Sequence, residues 1–263
     1  TYCTTANGWN SGSCTYNWNP IPDKIGTDRR VRVSWSGDAT GVVDTSDANF
    51  TIKGSVTLTA PNGTPTQEVW PAQTNQKITW TKTGTIADYT LSYSTNSGGQ
   101  YSGSITTANA CTSTYPCSIS TAGCCACSGG SCEYVWDVSV AAISDLARVK
   151  VTGNQVMSLQ SDDTSNADFK IVPSLRITDP NLGTEILRVN NPYTITWVVN
   201  GSISTVHLQY STNCFANELQ TTLITTTGPV AADPLPADGN GSYPWPSVPD
   251  AIGDNVCIRI YDS

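Results

Sequence analysis

The chain has 263 residues, a net charge of −8 and only 13% charged residues, and about a quarter of its residues are Ser or Thr. This acidic balance excludes a nucleic-acid-binding protein, because contacts to phosphates need clustered Lys and Arg. No long run of strong helix formers is present, whereas Thr, Val, Ile, Tyr and Trp suit half-buried strands. The composition therefore predicts an all-β fold.

The elements of residues 1–53, the first unit, repeat later in the chain. The predicted strand that contains Trp18 returns around Trp136, 118 positions further on. The run at 46–52 returns in the same order at 165–171. A repeat of this length is a whole domain, because solenoid units have roughly 20–50 residues. We predict that residues 1–53 are the C-terminal half of such a domain.

Residues 54–172, the middle unit, contain one complete repeat with a Cys-rich insertion at 111–132. Alternating apolar and polar residues predict half-buried strands, and Pro-Asn-Gly and Asn-Ser-Gly-Gly segments predict turns. The predicted strands cover 56–60, 76–80, 88–94, 134–136, 147–151 and 168–171. Short strands separated by frequent turns are typical of a sandwich or barrel.

Residues 173–263, the last unit, follow the same pattern as far as 257–261 and then lack the closing strand. A sandwich without this strand exposes a strand edge and a slot of apolar core. Two interpretations remain open. The chain is one window of a longer array, or a strand from another copy completes the incomplete units, as in donor-strand assembly.

The order of the motifs is recognisable. Ile78-Thr79-Trp80 precedes Leu-x-Tyr-Ser-Thr-Asn at 91–96, and a Gly-Ser-x-x-x-x-Trp run, an Arg-Val-x-Val strand and Ala-Asp-Phe-x-Ile follow. This set resembles the immunoglobulin-like tandem repeats of large secreted bacterial surface proteins. It is also similar to the Ig-like domain of Ser/Thr-rich cell-wall and GPI-anchored proteins of fungi. The resemblance implies tandem Ig-like β-sandwiches with a non-enzymatic role, and only the insertion at 111–132 departs from it.

The cysteine content predicts an extracellular, disulfide-bonded protein. Ten Cys stand beside one Met, and each unit holds an even number of them, so we expect the disulfides to close within units. The set comprises Cys3 and Cys14, then Cys111, Cys117, Cys124, Cys125, Cys127 and Cys132, then Cys214 and Cys257. The pairing of the middle six stays open. We find no signal peptide and no apolar run of membrane-spanning length, so we expect a removed leader or an internal piece of a longer chain.

Acidic residues cluster just before both closing strands. Loop carboxylates between tandem sandwiches can bind calcium, and the candidates are Asp38, Asp44, Asp47, Asp162, Asp163 and Asp168. No EF-hand spacing is present, and the alternative is that these are solvated carboxylates that also discourage edge pairing. We expect no other cofactor.

No catalytic site is predicted. The single histidine, His207, lies on an alternating strand, and no Gly-x-Ser-x-Gly elbow accompanies it. Only four Glu are present, and nothing selects a pair for sugar hydrolysis.

Some aromatic and Asn residues suggest contacts with sugars. Most Trp recur at matching positions, which favours core packing, whereas Trp9, Trp35 and Trp70 have no counterparts and are candidates for stacking on sugars. Asn62, Asn200 and Asn240 begin glycosylation sequons in Asn-Gly turns.

We therefore predict a structural protein of the cell surface, namely a segment or subunit of a filament, a wall layer or an adhesin stalk. Its expected partners are other copies of the same chain, which would form a homopolymer, and surface glycans. The alternative is a carbohydrate-binding module array of a secreted protein.

Overall fold

The structure is a computed structural model that describes residues 9–10, 13–232, 239–253 and 255–263. Regular structure in these ranges is almost entirely β-strand. The exceptions are short 3-10 turns at Val140–Ala142, Val156–Ser158 and Glu218–Gln220. No helix in the described ranges has the length and apolar character needed to cross a membrane.

The first unit consists of three separate two-stranded antiparallel ribbons. Its strands are β1 (Trp9–Asn10), β2 (Ser13–Cys14), β3 (Gly26–Arg29), β4 (Arg32–Trp35), β5 (Asp38–Thr45) and β6 (Phe50–Ile52). β1 pairs with β2, β3 with β6, and β4 with β5. Every side chain of β4 and β5 is exposed, so the described part of this unit contains no second layer to cover them.

The middle unit is a two-sheet sandwich. Its strands are β7 (Ser55–Ala60), β8 (Val69–Pro71), β9 (Asn75–Thr83), β10 (Asp88–Ser94), β11 (Gly103–Asn109), β12 (Cys125–Ser128), β13 (Ser131–Asp137), β14 (Ser144–Asn154), β15 (Gln160–Thr164) and β16 (Phe169–Val172). One sheet has the order β12-β13-β9-β7, and the other has the order β11-β10-β14-β16-β8, with β15 also paired to β14. β8 runs parallel to β16, and all other pairs are antiparallel.

This strand order is that of an immunoglobulin-like sandwich, in which the opening segment contributes to both sheets. Side chains alternate between solvent and core along each strand, as on β7, where Val56 and Leu58 are buried. Trp80, Leu91 and Phe169 fill the space between the sheets. The predicted all-β, tandem immunoglobulin-like fold is confirmed.

The last unit repeats most of this arrangement. Its strands are β17 (Ser174–Asp179), β18 (Tyr193–Asn200), β19 (Thr205–Ser211), β20 (Thr221–Leu223), β21 (Val230–Ala231), β22 (Asn240–Trp245) and β23 (Cys257–Asp262). The sheets have the orders β17-β18-β22 and β20-β19-β23, with β21 also on β19. Ile195, Trp197 and Leu208 form the centre of a second core. β16 and β8 have no counterparts among the described residues of this unit.

The junction between the middle and last units is short. Pro173 alone separates β16 from β17, and the Ser174 hydroxyl donates to the carbonyl oxygen of Ala72 at 2.6 Å. The Asn200 amide donates to Ser174 Oγ at 3.0 Å. These bonds tie both units to Ser174, the first residue of β17, so little free chain lies between them.

Candidate functional site

The closing strand of the middle unit shows what a completed sandwich contains. Phe169 and Ile171 on β16 are 0% and 1% exposed, and the Phe169 ring lies 5.0 Å from Trp70 on β8. Trp136 contacts Trp70 edge-on at 6.3 Å and stacks on Tyr93 at 5.4 Å. The closing strand therefore supplies two apolar side chains to an aromatic cluster that reaches across both sheets.

Polar contacts fix the same strand in register. The Ser165 hydroxyl donates to the carbonyl oxygen of Pro61 at 2.8 Å and accepts the N–H of Val149 at 3.0 Å. Arg148 Nε lies 2.6 Å from Asp168 Oδ1. Partial burial alone would raise the pKa of Asp168, but the hydrogen bonds from Arg148 and Ser97 hold that pKa below its usual value.

The last unit has the same floor, and none of its described strands takes the place of β16. The rings of Tyr210 and Trp245 lie 5.7 Å apart, close to the 5.4 Å between Tyr93 and Trp136 in the middle unit. β23 pairs with β19 in the register in which β14 pairs with β10, so that Ile258 takes the place of Val149.

A groove of about 720 Å³ lies where the closing strand would be. We call it the β23 groove. Its walls and floor include Leu187, Tyr210, Trp245, Val248, Val256 and Ile258. Val149 and Val151 on β14 are 0% exposed, whereas their counterparts Ile258 and Ile260 are only partly buried. At the rim, Ile186 and Ile252 are 81% and 88% exposed.

The rim opposite β23 is held in shape by its own hydrogen bonds. Glu185 accepts the N–H groups of Asn181 and Leu182 at 2.7 and 2.6 Å, and these bonds lower the pKa of Glu185 to about 2. In the middle unit, Glu68 accepts the N–H of Asn62 in the same way, at 2.8 Å. Asn190 and its counterpart Gln73 both have positive φ, 60° and 56°. The last unit thus retains the turns that would flank a closing strand.

One difference separates the two sites. Cys257 stands opposite Ser211 on β19, where the middle unit has Arg148 opposite Ser94. Cys257 forms a disulfide with Cys214. The β23 groove therefore has no guanidinium at the position from which Arg148 holds Asp168.

The first unit presents the converse arrangement, a closing strand without a completed sandwich. Phe50 is only partly buried and meets Trp18 edge-on at 6.5 Å, and Trp18 itself is 39% exposed. Arg30 Nε donates to Asn49 Oδ1 at 2.8 Å, the counterpart of the Arg148–Asp168 contact. Val33, in the position of the buried Val151, is 69% exposed. A second cavity, of about 480 Å³, lies beside these residues.

The cysteines of the described residues all form disulfides. The pairs are Cys111–Cys125, Cys117–Cys124, Cys127–Cys132 and Cys214–Cys257, and each closes within one unit. Cys14 is disulfide-bonded as well, and Cys3 lies outside the described residues. Buried Glu133 anchors the Cys-rich insertion, since it accepts the N–H of Cys117 and pairs with Lys77 at 3.1 Å.

The six aspartates considered as calcium ligands take part in several kinds of contact. Asp38 accepts the N–H of Gly41 at 2.8 Å, and such backbone hydrogen bonds lower the pKa of Asp38. The others are placed as follows: Asp44 accepts the N–H of Thr45, Asp47 is exposed before β6, Asp162 pairs with Lys150, Asp163 accepts the N–H of Leu58, and Asp168 pairs with Arg148. Across the described ranges, no group of three His, Cys, Asp or Glu side chains is positioned to hold a metal ion.

The candidate sugar-contacting residues differ in exposure. Trp35 on β4 is 60% exposed, whereas Trp70 is 8% exposed within the aromatic cluster and offers no open ring face. Trp9 lies on β1, opposite Cys14. Among the sequon residues, Asn62 Oδ1 accepts the N–H of Asn166 at 2.8 Å, Asn200 binds Ser174, and Asn240 is exposed on β22.

The residues that define the groove were not predicted as site residues from the sequence. Tyr210 and Trp245 lie in repeated motifs, at 208–213 and 241–245, that mark strands of the sandwich, and the repeats alone do not show that a groove lies beside them. One signal was available, because Arg30 and Arg148 lie 118 positions apart and Phe50 and Phe169 lie 119 positions apart, so that both pairs recur with nearly the same offset. That coincidence predicts a contact between the two positions in each repeat.

The fold and the groove together define a protein of tandem Ig-like sandwich modules. No protein-family model matches the chain, and no curated protein matches its sequence. Solved structures that resemble it include the fibronectin(III)-like modules of Clostridium thermocellum CbhA, with 14% identity, 79% of this chain and 85% of that chain covered, and a TM-score of 0.25.

Two further structures show a similar degree of likeness. A tetra-tandem repeat from the extending region of a large adhesion protein is 11% identical, with 88% of this chain and 54% of that chain covered and a TM-score of 0.27. Domains A168–A170 of titin are 8% identical, with 88% and 66% covered and a TM-score of 0.26. These scores are too low to carry an argument, so the fold assignment rests on the strand order of the chain itself.

Proposed function

We propose that the chain is a structural protein of the cell surface, a segment or subunit of a filament, wall layer or adhesin stalk, in which an added β-strand completes the last unit. The observation that carries this proposal is the β23 groove, which occupies the place that Phe169 and Ile171 fill in the middle unit.

The chemistry of the groove supports a strand as its occupant. β23 pairs with β19 along one side, and no described residue pairs with its other edge. An unpaired edge offers N–H and C=O groups to an extended peptide, and the apolar floor below selects alternate side chains of that peptide. A small rounded ligand could contact the apolar floor of the groove, but it would leave the N–H and C=O groups along the edge of β23 without hydrogen-bond partners.

The disulfides and the short junction support the extracellular structural role. Disulfides persist in oxidising compartments, and no described cysteine is free. The single linker residue Pro173 and the Ser174–Ala72 hydrogen bond restrict bending between adjacent units. Rigid modules with restricted joints suit a load-bearing or spacing function.

A synthetic peptide with the sequence of residues 46–53 tests the groove. At a peptide concentration 100 times its Kd, binding would stabilise the last unit by about 2.7 kcal/mol and raise its melting temperature in the full-length chain. The matched control is the same peptide with Phe50→Asp, which places a charge on the apolar floor. Equal effects of both peptides, or no effect of either, would contradict the strand-accepting function.

Electron microscopy of negatively stained full-length protein tests the structural role. Uniform fibres or regular rods at high protein concentration support it. Compact, non-associating particles that also fail to bind the peptide would contradict it.

One observation favours the alternative, a carbohydrate-binding array, namely the exposed ring of Trp35. Pull-down with cellulose, chitin and peptidoglycan tests this alternative. Retention that is lost in Trp35→Ala but kept in Tyr16→Ala, a change of another exposed aromatic residue, would support sugar binding.

A further inference from the structure

We propose that the outer face of β19 and β23 is a binding site for an uncharged sugar unit of a glycan. The site consists of His207, Gln209, Phe215, Glu218, Arg259 and Tyr261, and we call it the outer-face cluster. None of these six residues lines the β23 groove. The inference therefore goes beyond the strand-accepting function proposed above and does not depend on it.

Strand alternation places four of these side chains on one face of the sheet. Leu208 on β19 is 0% exposed in the core, so its neighbours His207 and Gln209 point away from the core. Across the ladder between β19 and β23, His207 lies opposite Tyr261 and Gln209 lies opposite Arg259. Residues directly opposite each other on antiparallel strands have neighbouring side chains. The four side chains therefore form a two-by-two array on the outer face.

The middle unit has small or flexible side chains on the corresponding face. In its ladder, Thr90 lies opposite Thr152 and Ser92 lies opposite Lys150. These four positions correspond to the two-by-two array through the register that β23 shares with β14. An Ig-like sandwich thus forms without rings on this face, so packing of the core does not require the array of the last unit.

The turn after β19 has a phenylalanine where the middle unit has a glycine. Gly98 has a φ of 81°, and Phe215 at the corresponding position has a φ of 60°. The turns are otherwise alike, because Ser94 Oγ and Ser211 Oγ accept the N–H groups of Gly98 and Phe215, both at 3.1 Å. A bulky residue in the left-handed region is strained, and strain of this kind clusters at functional sites. The Phe215 ring lies 4.4 Å from the guanidinium carbon of Arg259.

Hydrogen bonds hold the planar polar groups of the cluster in place. Glu218 accepts from both terminal nitrogens of Arg259, at 3.1 and 3.0 Å. Arg259 Nη2 also donates to Gln209 Oε1 at 2.7 Å, and Gln209 Nε2 donates to the hydroxyl oxygen of Tyr261 at 3.1 Å. Because these side chains are already ordered, a ligand that binds them loses little affinity to side-chain ordering.

The charges of the cluster favour an uncharged ligand. The side chains of Arg259 and Glu218 are 37% and 69% exposed, so both remain within reach of a ligand. Their opposite charges offset each other, so the site offers hydrogen-bond donors and acceptors without a net charge. Hydroxyl groups of a sugar can bind to both kinds of group.

The rings of His207 and Tyr261 give the cluster an apolar surface. Their centroids lie 5.5 Å apart, their planes are inclined by 32°, and both side chains are half-buried. His207 Nδ1 lies 3.1 Å from the hydroxyl oxygen of Thr225, and this contact orients the imidazole. The C–H face of a pyranose is apolar and packs against such rings, while its hydroxyl groups need polar partners at the rim. The cluster combines both requirements in one patch.

An array of immobilised glycans tests the proposal on the full-length chain. The probes are oligosaccharides that end in glucose, galactose, mannose or N-acetylglucosamine, and a sialylated set provides the charged comparison. We expect binding to at least one uncharged probe. Tyr261→Ala should weaken this binding about tenfold or more, as expected for loss of an aromatic anchor. The matched control is Thr152→Ala, the same position in the middle unit, which should leave binding unchanged.

A second measurement does not depend on the folding of a variant. His207 is the only histidine of the chain, so its imidazole gives a single set of proton–carbon NMR signals. Titration of the full-length chain with the methyl glycoside of the sugar that binds on the array should shift these signals in a saturable way. Methyl glycosides of sugars that fail on the array should leave the signals unchanged.

Three results would overturn the proposal. They are binding to no uncharged probe, a preference for the sialylated set, and binding that is lost in Trp35→Ala but kept in Tyr261→Ala. Unchanged His207 signals at a saturating glycoside concentration would also refute it, because the sugar would then bind elsewhere. None of these results bears on the 46–53 peptide, so failure of this proposal and failure of the strand-accepting function are distinguishable.

Discussion

Phe169→Ala measures how much the closing strand contributes to a completed sandwich. Phe169 is 0% exposed and lies 5.0 Å from Trp70, so its removal leaves a cavity inside the aromatic cluster. Truncation of a buried Phe costs about 3–5 kcal/mol. For a unit of this size, 1 kcal/mol shifts the melting temperature by about 4 °C, so we expect the middle-unit transition to fall by roughly 12–20 °C.

The equivalent change in the first unit is the internal control. Phe50 is only partly buried, and its ring contact with Trp18 is at 6.5 Å. In the dilute monomer, Phe50→Ala should therefore lower stability by no more than about 1 kcal/mol. Truncation of Phe to Ala at these two corresponding positions should therefore reduce stability by very different amounts, because only Phe169 is covered by a second sheet.

Differential scanning calorimetry of the full-length chain measures both variants. Hydrogen exchange of peptides from β14 and β18 identifies which transition belongs to which unit. A loss below about 1 kcal/mol for Phe169→Ala, or equal losses for the two variants, would refute the view that the closing strand completes the core.

Three further predictions concern single interactions. The pKa of Glu185 is lowered to about 2 in the folded chain. Its contribution to the stability of the fold is therefore present at pH values above the ordinary Glu pKa of ~4.3 and is lost as the pH falls towards 2. A carboxyl carbon that titrates near 4.3 in NMR would contradict this, and Glu185→Gln should remove the pH dependence. Changing Cys214 and Cys257 to Ser opens a loop with a sequence separation of 43 and should cost about 4 kcal/mol in urea unfolding, with a cost near zero contradicting the loop-entropy account. Ser165→Ala leaves the buried carbonyl of Pro61 without its donor at 2.8 Å and should cost about 1–3 kcal/mol in the same assay, whereas an unchanged midpoint would show that the bond is dispensable.

The repeating pattern of the chain predicted most of the fold. Alternation places one side of each strand in the core, and the recurring Trp80 and Trp197 are both 1% exposed. Trp18 also recurs, as the counterpart of Trp136, yet it is 39% exposed. Periodicity fixes which face of a strand is apolar, but burial also needs a second sheet, and the described part of the first unit has none.

Matching the repeats by identical residues missed some positions that are equivalent in the folded structure. Trp70 has no Trp counterpart, yet it lies in the core, and the last unit has Leu187 at its position. A core site accepts different apolar residues, because burial depends on volume and polarity more than on identity. Repeats that are matched by identical residues therefore overlook such positions.

The all-β class and the recurrence of strand motifs and cysteines along the chain can be read from the sequence alone. The pairing of the cysteines, the contact between Arg148 and Asp168, and the groove floor formed by Tyr210 and Trp245 become visible in the folded chain. These features join residues far apart in the chain, and their distances depend on how two sheets pack. Local alternation and turn chemistry carry no information about that packing.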